Sequence, residues 1–92
     1  MQDTNRLSGD EMFNSLTGFD EIAVAKSFGR SPLDLARANE ETNLLRALVF
    51  VDLRRNGSSD ADAYQAVMGM SLKDIAGYFA AADADPFRGE SD

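Results

Sequence analysis

The sequence has no cysteine, no histidine and no tryptophan in 92 residues, and only two prolines. Without cysteine there is no disulfide framework, no thiolate zinc site and no thiol nucleophile. Without histidine, the usual general base near neutral pH and the commonest metal ligand are both missing. Eight aromatic residues, none of them tryptophan, are too few for extended stacking on nucleic-acid bases. Positive charge is scarce as well. The formal net charge is -7, which repels phosphate backbones and anionic membrane surfaces alike. The opening residues have neither a basic stretch nor an apolar one, so a secretory peptide is not expected. The longest nearly unbroken apolar run, Leu44 to Leu53, contains Arg46 and Asp52 and is about half the ~20 residues that span a bilayer. These absences exclude most enzyme classes. They point to one small acidic domain in the cytoplasm that works by binding, with no catalytic residue, cofactor or metal.

What is present reads as helix. Five times a Ser or Thr is followed three residues later by Asp or Glu: Ser8/Glu11, Thr17/Asp20, Ser31/Asp34, Ser59/Asp62 and Ser71/Asp74. Each fits a capping box or its Asp variant, in which the hydroxyl accepts from an orphan amide and the carboxylate favours the positive helix end. Pro32 suits a first helical position, and Gly29, Gly57 and Gly69 suit left-handed stops. The pattern predicts helices at 9–16, 19–28, 32–38, 40–56, 60–68 and 72–81, with 32–38 and 40–56 free to join. No stretch alternates with the period of a strand. The expected fold is an all-α, single-domain bundle of five or six short helices around a central hydrophobic helix, occupying 8–81. Residues 1–7 and the acidic tail 82–92 read as flexible ends.

In helix 40–56, Leu44, Leu45, Leu48, Val49, Val51 and Leu53 cover an arc of about 200°, whereas one neighbour needs a stripe of about 100°. That helix should be wrapped by the others, with Arg54 and Arg55 complementing its C-terminal dipole. Narrower stripes are Phe19, Ile22 and Ala23; Ala63, Ala66, Val67 and Met70; and Leu72, Ile75, Ala76 and Phe79. Phe50, Tyr64, Met68 and Tyr78 fall beside the stripes. Met adapts its shape and Tyr suits half-wet interfaces, so these four are the candidate partner contacts. The N-terminal helices around Val24 and Phe28 are the second choice.

The paired acids Asp60/Asp62, Asp83/Asp85 and Glu40/Glu41 fall at helix starts or in the tail, where exposed carboxylates stay ionised and do no acid–base work. The acid pairs lack the glycine and terminal Glu of a calcium loop, and no glycine cluster cradles phosphate. Helices 60–68 and 72–81 have the spacing of a helix-turn-helix. The would-be recognition helix, however, offers one cation, Lys73, beside Asp74. Acids outnumber bases seven to two over 58–92, which makes entry into a DNA groove costly.

Three segments, Leu16–Ile22, Thr42–Gly57 and Asp60–Phe79, resemble the tail assembly chaperones of long-tailed bacteriophages. The resemblance lies in the order of helices and polarity: a short opening helix, a hydrophobic helix ending in Arg-Arg, and an acidic hairpin closing on Tyr-Phe. It implies a non-enzymatic protein that binds the tape measure protein, keeps it soluble and helps tail tube subunits assemble around it. It also implies a place in the host cytoplasm, absence from the mature virion, and partners that are proteins, with no nucleic acid and no membrane; self-association is left open. The competing reading is a helix-turn-helix-like DNA-binding protein or an acidic adaptor or inhibitor.

Overall fold

The computed structural model describes residues 7–79. Six helices follow one another: α1 (Gly9–Asn14), α2 (Gly18–Phe28), α3 (Pro32–Arg37), α4 (Glu41–Arg55), α5 (Asp60–Met68) and α6 (Leu72–Ala76). Among the described residues there is no strand, and the all-α expectation holds. The tail 82–92, nearly all of the 1–7 segment and residues 80–81 lie outside the described residues; within them α6 stops at Ala76 with Gly77 as its cap, short of the expected 72–81.

Every hydroxyl read as a cap is one. Ser8, Thr17, Ser31, Ser59 and Ser71 each accept a hydrogen bond from the backbone N–H three residues on. In α1 and α2 the carboxylate also returns, Glu11 accepting from Ser8 N–H and Asp20 from Thr17 N–H, which completes the box. The caps spend a short polar side chain to satisfy amides that would otherwise depend on water.

Stops are less uniform. Gly29 (φ 81°) and Gly57 (φ 108°) adopt the left-handed conformation as expected, but Gly69 (φ -87°) does not. At Gly69 an ordinary turn suffices because the Arg46 guanidinium donates to the Val67 and Met70 carbonyls at 2.5 and 2.9 Å. A stop the glycine pattern omits lies at Asn39 (φ 59°), where the N–H groups of Asn39 and Glu40 bond back to the Ala36 and Leu35 carbonyls. This is a Schellman closure with asparagine in place of glycine, and it keeps α3 and α4 apart. The same closure ends α4, from Gly57 and Ser58 N–H to the Arg54 and Leu53 carbonyls. A methyl group at Gly57 would meet no atom, so only backbone strain opposes it. Gly57→Ala is therefore expected to cost about 1 kcal/mol, read as a lowered urea midpoint with an unchanged slope.

α4 is the axis of the fold, as its wide apolar arc implies, and each of the other five helices packs against it. Ala47, Leu48, Val49, Phe50 and Val51 are buried in succession, more than a full turn of α4. Met12 from α1, Val24 from α2, Leu35 from α3, Ala63 and Val67 from α5 and Ile75 from α6 complete the core.

Candidate interaction surfaces

Of the four side chains expected to meet a partner, Phe50 must be withdrawn. It has no exposed surface and is among the largest fully buried side chains. Its position off the Leu/Val arc of α4 is covered by α2 and α5: Phe28 stands edge-on to its ring at 5.4 Å and edge-on to Tyr64 at 5.2 Å. Phe28 thereby links the other two rings, and Tyr64 is half-buried at the end of the series. Tyr78 is half-buried too, its hydroxyl donating to an Asp52 carboxylate oxygen at 2.5 Å and its ring edge-on to Phe79. Met68 alone is broadly exposed, at 48%. Val24 is buried completely and Phe28 partly, so these two side chains do not form the exposed face of the N-terminal helices.

The exposed apolar surface lies largely elsewhere. Phe19 is 82% exposed and Ile22 57%, although their spacing reads as a core stripe. Leu72, expected in the core stripe of α6, is 63% exposed, and Ala66 and Ala76 are exposed as well. Leu33 on α3 is half exposed. The inversion of α2 has a definite cause. Asp20, one residue beyond Phe19, is buried and bonded to Thr17 N–H. It also accepts from Arg55 at 2.9 Å and lies 3.5 Å from Arg54. Along a helix, Asp20 shares its side with Ala23, Val24 and Ser27; turning that side inward turns Phe19 and Ile22 out.

The two arginines closing α4 thus do more than complement a dipole. Arg55 also donates to the Ser15 hydroxyl and carbonyl, at 3.1 and 3.2 Å. Arg54 donates to Asp60 in the first turn of α5 at 2.5 Å and lies over the Phe50 ring at 5.9 Å. Together they tie the end of α4 to α1, α2 and α5. Burial on its own would raise the Asp20 carboxyl, but the Thr17 amide and the Arg55 guanidinium outweigh it, and its pKa lies below the ordinary value. A carboxylate whose pKa is depressed by folding stabilises the fold above its unfolded pKa. That contribution is lost as pH falls through the folded value. Stability measured by urea unfolding is accordingly expected to fall below about pH 4, and Asp20→Asn is expected to flatten that loss.

A second feature is concave. α1 and α3 both rest on α4 and leave an apolar cleft of about 280 Å³ between them, floored by Leu44, Leu45 and Leu48 and walled by Phe13 and Ala36. Phe13 also borders an adjoining cleft of about 170 Å³ lined by Leu16, Pro32 and Leu33. The rims carry Asp10 and Glu41 on the first cleft and Glu21 on the second. Nothing in the spacing of the apolar residues announced this trough, because its lining comes from separate helices brought together only by the fold.

Among the described residues no group of three or more acids gathers as a metal site, and no helix is long and apolar enough to cross a membrane. Compared with family models, curated proteins and solved structures, the chain matches none.

Proposed function

We propose that the protein is a non-enzymatic assembly chaperone of the long-tailed bacteriophage type, one that binds the tape measure protein and holds it soluble while tube subunits add. The observation that supports this most is the surface. An acidic helical domain with a fully enclosed core still leaves Phe19, Ile22, Leu33, Met68 and Leu72 exposed on α2, α3, α5 and α6. Single exposed apolar residues are ordinary; Phe19 and Ile22, three residues apart on one face of α2, form an exposed apolar pair. A binding protein for a long helical polypeptide needs shallow apolar surface that accepts many segments. The DNA-binding alternative draws no support from α6, which has five residues and one cation, Lys73, beside Asp74.

The test is co-expression with a phage tape measure protein. The soluble fraction of the tape measure protein is expected to rise, with both chains in one complex on size exclusion. Phe19→Asp and Met68→Asp replace exposed side chains, so they are expected to stay folded and reduce the yield of complex. An insoluble tape measure protein whether or not the chain is present would reject the reading. So would tight, steeply salt-dependent binding to duplex DNA.

A further inference from the structure

We infer that the trough between α1, α3 and α4 is a docking groove for an amphipathic helix of a partner protein, apolar on one face and flanked by Lys or Arg. The assignment rests on the binding function proposed above and adds where the partner lies and what chemistry it brings. Two observations carry it. The floor and walls are apolar and concave: Phe13, Leu16, Leu33, Leu44, Leu45 and Leu48 line two adjoining clefts that no described helix covers. The rims are of one sign. Asp10, Glu21 and Glu41 border the clefts, no Lys or Arg does, and none of the three carboxylates has an ion-pair partner among the described residues.

Asp20, Glu40 and Asp60 are each matched to an arginine of this chain, at Arg54 and Arg55, at Arg30, and at Arg54 respectively. The paired arginines Arg30, Arg54 and Arg55 line neither cleft, and the rim acids, like Glu11, Asp34, Asp52, Asp62 and Asp74 elsewhere, have no ion pair among the described residues. An apolar floor with carboxylates on its edges is complementary to a helix whose Leu or Met anchors recur at i, i+3, i+4 and i+7 and whose flanks are basic. An acidic or neutral helix would bury the same apolar area while bringing no counter-charge to the rim. The outer face of α2 is more exposed, but its Phe19 and Ile22 line neither cleft.

The test is an NMR titration of the full isotope-labelled chain. The probe is an 18-residue helical peptide of Leu, Ala and Lys with leucines at i, i+3, i+4 and i+7 and lysines at the edges of that face. Shift changes are expected at Phe13, Leu16, Leu33, Ala36 and Leu45. The same peptide with Glu for Lys is expected to bind at least tenfold more weakly at low salt, and 0.5 M salt is expected to narrow that difference. Glu21→Lys combined with Glu41→Lys alters only exposed side chains and is expected to weaken the Lys peptide by about tenfold. Leu33→Asp, also at an exposed position, is expected to weaken both peptides. Equal affinity for the two peptides would overturn the proposal, as would shifts confined to the outer face of α2 or to the α5–α6 hairpin. Trough shifts that grow with protein concentration in the absence of peptide would assign the face to a second copy and overturn it likewise. Peptide binding in the trough without capture of a tape measure protein would reject the chaperone reading and leave the groove standing; capture without trough shifts would do the reverse.

Discussion

Replacing Phe50 with alanine is expected to remove about 3–5 kcal/mol of folding free energy, the range for deleting a buried aromatic side chain. A domain of this length has on the order of 5–10 kcal/mol to lose, so most of its margin disappears. The reason is the site: Phe50 is fully buried, Phe28 packs edge-on to it, Phe28 in turn packs on Tyr64, and Arg54 lies over the ring. Truncation leaves a void bounded by α2, α4 and α5 that short, mutually braced helices cannot readily close. Thermal unfolding by circular dichroism reads the effect. Met68→Ala serves as the control, expected to stay within about 0.5 kcal/mol of the parent because that side chain is half in solvent. A small loss at Phe50 would mean that the ring is not in the core.

The second large effect is expected at Asp20. Asp20→Asn keeps the volume and removes the charge, and it is expected to cost about 2–3 kcal/mol at neutral pH. The fully buried limit for breaking an ion pair is about 3–5 kcal/mol. It does not apply in full, because the Arg54 and Arg55 side chains keep about a quarter to a third of their surface in water. Part of the loss comes from the weakened reciprocal cap on Thr17 N–H. A double-mutant cycle with Arg55→Met separates the parts: coupling above about 1 kcal/mol is expected if the ion pair contributes as described. Additive losses would leave only the cap.

These two positions also show what the linear pattern conveys and what it hides. Helix starts are local chemistry, since a hydroxyl three residues before an amide needs no tertiary partner, and all five caps stand where the Ser/Thr-x-x-Asp/Glu spacing puts them. The central place of α4 was legible for a related reason. An arc twice as wide as one neighbour needs can be satisfied only by several neighbours. The same arc misplaced Phe50, because over Ala47–Val51 α4 is buried off the stripe as well as on it. In α2 the pattern misled for the opposite reason. Phe19 and Ile22 have the more regular apolar spacing, yet a single carboxylate matched to Arg54 and Arg55 sets the rotation of the helix. The available signal was the Arg-Arg pair itself, two adjacent cations that call for an acid from another element. Asn39 was missed because asparagine reaches the left-handed region less often than glycine and so marks a stop less clearly. The trough was not legible, since its lining residues come from separate helices.

On the proposed function, a pre-folded domain ordered around α4 would engage a helical protein partner through its outer surface. Hydrogen exchange of the full chain, alone and saturated with a tape measure protein, tests it most directly. Amides of Ala47–Val51 are expected to be the most protected in both states, and new protection on binding is expected on the helices bearing exposed apolar side chains or lining the trough. Loss of protection in Ala47–Val51 on binding, or no new protection on any helix at saturation, would contradict it.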